Sequence, residues 1–119
     1  RVGLATDVGG GSSFSMFVTM KMAYEVGQVH GHNLNAFQAF YMASAGGARA
    51  LGLGDRIGNL QTGLEADLVV IDLQSTELIR HRMQTVENLH EALFAQMTLA
   101  DDRAIAATYI NGVRHVMND

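Results

Sequence analysis

The spacing of apolar residues predicts three helices. Apolar residues occur on almost every side of a helix over residues 14–30, which leaves only a narrow polar strip of Lys21, Glu25 and Gln28. A capping-box pattern, Asn35 with Gln38, precedes an apolar stripe and predicts a second helix over residues 35–45, which Gly46 and Gly47 are expected to break. Apolar residues three and four apart predict an amphipathic helix over residues 86–98, with Thr85 as its cap. A further short helix is expected to end near residues 51–53.

Other segments have the pattern of strands. Residues 2–6 are predicted to form a short strand that ends at Asp7, where three glycines and two serines are expected to turn the chain towards the first helix. The run "ADLVVIDL" has the length and β-branched content of a buried strand. Asn111 and Gly112 separate two strand-like runs, which predicts a hairpin over residues 104–117. The pattern therefore predicts an α+β protein.

Length and composition limit the function classes. The chain has 119 residues, of which 48% are hydrophobic, enough for about one domain with a core. Its net charge of -4 is spread along the sequence without a Lys/Arg cluster, so neither a nucleic-acid partner nor a basic membrane-binding surface is expected. No cysteine is present and no apolar run reaches about 18 residues, which agrees with a soluble cytoplasmic protein.

The start of the chain suggests a piece of a longer protein. No initiating Met is present, and the strand over residues 2–6 has little before it to pair with. A helix with apolar residues on most of its sides has to pack against other parts of the protein on those sides, and a chain this short has few residues available for that packing. We therefore expect missing partner structure, and we expect the chain by itself to associate with further copies.

Asp7 is the candidate catalytic residue. It stands at the carboxyl end of a predicted strand and is followed by a loop and a helix, the position where βα-barrel enzymes keep catalytic groups. A carboxylate there can ligate a metal and exchange a proton with water. Two other interpretations remain open: Asp7 can simply cap the glycine turn, and the glycines can cradle a phosphate. No Gly-Lys-Ser/Thr sequence follows, which argues against a P-loop.

The histidines give weaker evidence of a metal site than Asp7 does. His30 and His32 could share a zinc ion if they lay on a strand, but they follow a helix and Gly31 predicts a loop there. His90 and Glu91 begin like a zinc-protease helix, but the second histidine four residues on is missing. His81 and His115 have no sequence partner and are expected at the surface.

Three segments together resemble a known family. They are "TDVGGGSSFSM", "SAGGARALGLGDRIGNLQTGLEADLVVIDL" and "RAIAATYINGVRHV", and they resemble the carboxyl-terminal part of the amidohydrolase superfamily over nearly the whole chain. The middle segment is common to many deaminases and chlorohydrolases of that superfamily. The first segment is similar to that of the aminohydrolases that act on guanine.

The resemblance implies a fold, a fragment of a metal-dependent (β/α)8 barrel with part of a small β-sandwich. Residues 1–54 would hold the last barrel strand and the helices after it, and residues 55–74 a sandwich segment that includes "IGNL" and "ADLVVIDL". Residues 75–103 would be helical, and residues 104–119 would form the terminal sandwich hairpin.

The resemblance also implies a reaction, the hydrolytic deamination of guanine to xanthine and ammonia. A zinc ion would lower the pKa of water to near neutrality, and the hydroxide would attack the ring carbon that bears the amino group. Asp7 would ligate zinc and take the proton of the water. An early His-x-His, two later histidines and a glutamate that protonates the ring nitrogen would lie upstream of this chain. The chain alone is therefore expected to lack zinc and activity.

Two alternatives remain beside this interpretation. One is another superfamily deaminase or chlorohydrolase that acts on a different heterocycle. The other is a non-catalytic α+β module that binds a partner through its apolar helices. A reading frame that extends about 300 residues upstream would favour the enzyme, because a barrel domain needs about 250 residues.

Overall fold

A computed structural model describes residues 1–115, which contain five α-helices and a three-stranded sheet. The helices are α1 (Met16–Val29), α2 (Ala36–Met42), α3 (Ala45–Ala50), α4 (Glu77–Met83) and α5 (Leu89–Leu99). A 3-10 turn, Asp102–Ala104, leads into the last hairpin. The strands are β1 (Leu68–Ile71), β2 (Ile105–Ile110) and β3 (Val113–His115). The α+β prediction is confirmed, as are the three predicted helices.

Side-chain caps fix where several helices begin. Asn35 accepts a hydrogen bond from the Gln38 backbone N–H at 3.0 Å and its own N–H donates to Gln38 Oε1 at 3.1 Å, so the predicted capping box is present. The prediction that Thr85 caps α5 is wrong. Asn88 does so by accepting from the Glu91 N–H at 3.0 Å, because the Thr85 hydroxyl is bonded to Arg82 instead.

The core lies among the helices rather than under the sheet. Ile79 of α4 and Met97 of α5 are fully buried, and Phe17, Met20 and Ala39 pack with them. Two edge-to-face aromatic pairs extend this cluster, Phe17 with Phe40 and Tyr24 with Phe94. The methionines of α1 are split: Met20 is buried in this core, whereas Met22 is exposed.

The sheet is antiparallel, in the order β1-β2-β3. Leu68 pairs with Tyr109 and Ile110 pairs with Val113, with a register shift between Val70 and Ile71. Asn111 and Gly112 take positive φ values of 49° and 77° at the hairpin turn, as a tight two-residue hairpin turn requires. The predicted hairpin is confirmed up to His115, and its last two predicted residues lie outside the described part of the chain.

Asp67 connects this hairpin to β1. Its Oδ1 accepts a hydrogen bond from the Asn111 N–H at 2.7 Å, across 44 positions of sequence. We expect Asp67→Ala to lower the free energy of unfolding by about 1 kcal/mol, since a turn N–H loses a charged acceptor. Urea unfolding measures the loss. Asp67→Asn keeps an acceptor oxygen and should lose less, so equal losses for the two variants would contradict this role of the bond.

The predicted strand over residues 2–6 is wrong. A barrel strand takes its hydrogen bonds from parallel neighbours, and the described residues contain none for it. The Leu4 N–H donates instead to the Met42 carbonyl at 3.0 Å, which holds this segment against the end of α2. Asp7 therefore follows an irregular segment rather than a strand.

The "IGNL" segment is not a strand either. Residues 57–60 lie in a loop that Arg56 and Glu65 close by a backbone hydrogen bond, Glu65 N–H to Arg56 carbonyl at 2.8 Å. Two Arg56 side-chain N–H groups also donate to Glu65 Oε1, at 2.9 and 2.5 Å. Both ends of the loop are therefore held together.

Gly46 and Gly47 do not break a helix, which corrects that prediction. α2 ends at Met42, and both glycines lie inside α3. A Cβ on Gly46 would come within 2.8 Å of the ring and the carbonyl oxygen of Tyr41. Gly46 is thus required for the close approach of α2 and α3.

The strand in "ADLVVIDL" is present but is not buried. Val69 and Val70 are 49% and 43% exposed, because helices cover only part of the sheet. The helix α4 lies within residues 75–103, the segment expected to be helical, and Thr76 gives it a side-chain cap by accepting from the Ile79 N–H at 3.2 Å.

Candidate functional site

Asp7 lies in a tight turn between the amino-terminal segment and α1. Its backbone has a φ of 52°, in the left-handed region that residues other than glycine rarely adopt. The N–H groups of Gly10 and Gly11 donate to the Asp7 carbonyl at 2.9 and 2.5 Å. The backbone of Asp7 thus organises the turn.

The side chain of Asp7 is exposed and does not cap this turn. Within residues 1–115 its carboxylate makes no hydrogen bond and no ion pair. The interpretation of Asp7 as a side-chain turn cap therefore lacks the hydrogen bond it requires. The carboxylate keeps both oxygens available for a metal ion or a proton.

The described residues supply one candidate zinc ligand rather than a zinc site. A carboxylate oxygen is a donor that zinc accepts, but a catalytic zinc ion takes about three protein ligands. No group of three or more histidines, cysteines, aspartates or glutamates in residues 1–115 is arranged to hold a metal ion. The donor type of Asp7 fits zinc, whereas the number of donors in the described part of the chain does not.

His30 and His32 lie in the loop after α1, as predicted. The His30 N–H donates to the Gly27 carbonyl at 3.0 Å as the helix ends, and Gly31 has a φ of 73°. Both histidines are exposed. They follow the Asp7 turn in the chain and belong to no metal-binding group in the described residues.

The other histidines have structural or surface positions. The His90 ring packs against the Phe37 ring with centroids 5.2 Å apart, so it helps to join α5 to α2. His81 and His115 are exposed, as expected from the sequence.

An apolar groove runs between the helices and the sheet, a feature that the sequence did not predict. It has a volume of about 1200 Å³, and its lining includes Phe14, Phe17, Ile57, Leu60, Val69 and Ile110. Phe14 and Leu60 are 80% and 78% exposed. The groove takes its residues from six separate segments, so no single stretch of sequence predicts it. Asp7 is not among its lining residues.

Ion pairs occur near two edges of this groove. Arg103 donates to both carboxylate oxygens of Asp101, at 3.0 and 2.6 Å, and these side-chain hydrogen bonds hold the pKa of Asp101 below its ordinary value. The hydrogen bond to Glu65 likewise raises the pKa of Arg56. Both pairs are exposed and therefore stabilise the chain only slightly. Neither pair involves Asp7.

Comparison with known proteins identifies the family. A sequence model of the family described as "Amidohydrolase family" matches residues 1–114 of the chain. The chain belongs to the amidohydrolase family. The guanine deaminase of Escherichia coli K12 is 46% identical to it over 112 residues, which are 94% of this chain and 26% of that amidohydrolase. The chain thus spans about a quarter of the length of the curated relatives it matches.

Solved amidohydrolase structures have the same fold. A structure of E. coli guanine deaminase superposes with a TM-score of 0.96 at 44% identity, over 100% of this chain and 28% of that chain. An adenosine deaminase from Xanthomonas campestris, solved with bound zinc, superposes with a TM-score of 0.64 at 33% identity, over 83% and 21%. In the described residues no helix has the length and apolar character needed to cross a membrane.

Proposed function

We propose that this chain is the carboxyl-terminal part of a zinc-dependent guanine deaminase, which converts guanine and water to xanthine and ammonia. The observation that carries the proposal is the 46% identity to a guanine deaminase over 94% of the chain. The TM-score of 0.96 over the whole chain supports it, because the match extends to the relative positions of the helices and the sheet.

Asp7 is the residue that this chain contributes to the reaction. Its exposed carboxylate has no hydrogen-bond partner within residues 1–115, so a carboxylate oxygen can serve as a metal ligand and accept a proton from the attacking water. A bound zinc ion would supply Lewis-acid activation of that water near neutral pH. The turn that holds Asp7 is fixed by its own backbone hydrogen bonds, which limits the positions the carboxylate can take.

The other parts of the site would lie outside this chain. The family resemblance implies that a His-x-His, two further histidines and a glutamate would precede Asp7 in the sequence. Because no group of three or more histidines, cysteines, aspartates or glutamates in residues 1–115 is arranged to hold a metal ion, the further ligands would have to come from outside those residues. Residues 1–54 would then adjoin the barrel, and residues 55–74 and 104–119 would belong to the sandwich domain, with the helical segment 75–103 between them.

A different heterocycle is the main alternative substrate. The likeness to an adenosine deaminase, at 33% identity and a TM-score of 0.64, shows that related purine chemistry uses a similar fold. The likeness to guanine deaminase is greater by both measures, which favours guanine. Family membership favours an enzyme over a non-catalytic interaction module.

A substrate comparison tests the proposal. The polypeptide encoded by the complete reading frame that contains these residues should be purified with zinc and assayed with guanine, adenine, adenosine and a chlorinated triazine. We expect ammonia and xanthine in equal amounts from guanine, with at least about tenfold lower kcat/KM for the others, since a site that hydrogen-bonds one set of ring substituents rejects analogues that lack them. A preference for any other compound would refute guanine as the substrate.

Zinc affinity of the 119-residue chain gives a second test. One carboxylate is a poor zinc site, so isothermal titration should show binding no tighter than about 100 µM, against the submicromolar binding expected of a complete set of ligands. Asp7→Asn should weaken the binding further, whereas His30→Ala should leave it unchanged. Tight stoichiometric binding that depends on His30 and His32 would contradict the assignment of the site to Asp7.

Cytoplasmic location and a homo-oligomeric enzyme stay predictions.

A further inference from the structure

The Asp7 carboxylate rests against Gly10. If Gly10 carried a Cβ, that atom would lie 2.7 Å from Asp7 Oδ2, 3.3 Å from its Cγ and 3.5 Å from its Oδ1. The first of these distances is shorter than real Cβ atoms show, and all three of the nearest atoms belong to one carboxylate. The space that a side chain would need at position 10 is therefore the space that the Asp7 carboxylate occupies.

The two neighbouring glycines have different roles. A Cβ on Gly11 would lie 1.9 Å from the Thr6 carbonyl oxygen, which is backbone and cannot move without opening the turn. Gly9 has open space around it but a φ of +99°, so a side chain there would strain the backbone. Gly10 has neither problem. Its φ lies outside the left-handed region, and its close contacts are with a side chain rather than with backbone.

We infer that Gly10 is a positioning residue, which sets the orientation of the Asp7 carboxylate by leaving one side of it open. Its importance for catalysis rests on the proposed function, whereas its effect on the carboxylate does not. An alanine at position 10 would leave the turn in place and force the Asp7 side chain to rotate away. A displacement of about 1 Å at a reacting group can lower a rate by about 100-fold, so this orientation matters for a residue that binds a metal ion or moves a proton.

The orientation can be measured on the 119-residue chain itself. Three-bond couplings from the Asp7 Cγ to its backbone nitrogen and carbonyl carbon report the χ1 rotamer of Asp7. We expect Gly10→Ala to change the dominant rotamer and to leave the Gly11 amide protected from exchange. Gly9→Ala is the matched control, which should lower the thermal midpoint through backbone strain and leave the Asp7 couplings unchanged. Identical Asp7 couplings in Gly10→Ala and the unaltered chain would overturn the inference.

A double-variant comparison keeps the test decisive if Gly10→Ala is poorly stable. Because the close contacts of a Cβ at position 10 are with the Asp7 side chain, the loss in thermal midpoint caused by Gly10→Ala should fall by at least half when Asp7 is also alanine. An undiminished loss in the Asp7→Ala background would show that Gly10 acts on the backbone and not on the carboxylate.

Kinetics of the complete enzyme then separate the inference from the proposed function. We expect Gly10→Ala to lower kcat for guanine at least tenfold and to change KM less than twofold, with Gly9→Ala closer to the unaltered enzyme. If the couplings show a rotated carboxylate and kcat is unchanged, then the catalytic role of Asp7 is wrong while its positioning by Gly10 stands. If the carboxylate does not rotate, the positioning is wrong whatever the activity.

Discussion

Replacing Asp7 by alanine in the complete enzyme is expected to lower kcat/KM for guanine by about 10³-fold or more. Under the proposed function the change would remove a metal ligand and a proton acceptor at once, and proton transfer by a positioned group alone contributes about 10²- to 10⁴-fold. The exposed carboxylate makes no hydrogen bond in residues 1–115, so the fold should lose little stability with it. Ammonia release from guanine measures the activity, and metal analysis of the purified variant measures the loss of zinc.

The matched control for this variant is Asp55→Ala. Asp55 is also an exposed aspartate, but it lies between α3 and the loop that Arg56 and Glu65 close, and nothing places it in the reaction. It should retain full activity and full zinc content. A fully active Asp7→Ala enzyme would show that Asp7 has only a structural role in the turn, and it would contradict the one catalytic role that this chain is proposed to have.

The chain by itself is expected to self-associate in the micromolar range. Its accessible surface is 8096 Å², whereas a folded monomer of 12.8 kDa exposes about 6,300 Å². The difference, about 1,800 Å² for one chain, exceeds the roughly 800 Å² that each partner buries in a standard-sized stable interface. Part of the exposed apolar surface lines the groove, where Phe14, Leu60 and Ile110 are all more than half exposed. A second copy of the chain would cover this surface.

Sedimentation velocity over a range of concentrations tests this association. Phe14→Ser removes an apolar side chain from the groove and should raise the dissociation constant about tenfold, since burial of a Phe side chain stabilises by about 1.5–3 kcal/mol. Leu89→Ser is the control, because Leu89 is 64% exposed but does not line the groove. A compact monomer at all micromolar concentrations would contradict the prediction.

Sequence patterns were sufficient to predict the elements whose formation depends on only a few neighbouring residues. The Asn111-Gly112 turn needs only two residues that accept positive φ values, and the capping box of α2 needs only Asn35 and Gln38. The segment at residues 2–6 was predicted as a strand because its composition suits one. A strand needs neighbours to bond with, and composition says nothing about whether they are present. The same reason explains the loop at residues 57–60.

The candidate site was predictable in part. The resemblance and the predicted strand end pointed to Asp7, and the helix before His30 correctly predicted a loop there. The contact between the Asp7 carboxylate and Gly10 was not predictable, because it depends on the φ of 52° at Asp7 and on which side of the turn the carboxylate then lies. Three consecutive glycines suggested a tight turn but did not reveal that Gly10 makes room for the Asp7 carboxylate and Gly11 for the Thr6 carbonyl oxygen, whereas Gly9 takes a positive φ.

The most direct measurement compares guanine turnover by the complete enzyme and by the 119-residue chain, each supplied with zinc. We expect xanthine and ammonia in equal amounts from the complete enzyme, and none above the uncatalysed rate from the chain, because under the proposed function Asp7 acts only together with ligands that the described residues do not contain. Deamination of guanine by the chain alone, or its absence in the zinc-loaded complete enzyme, would contradict the proposed function.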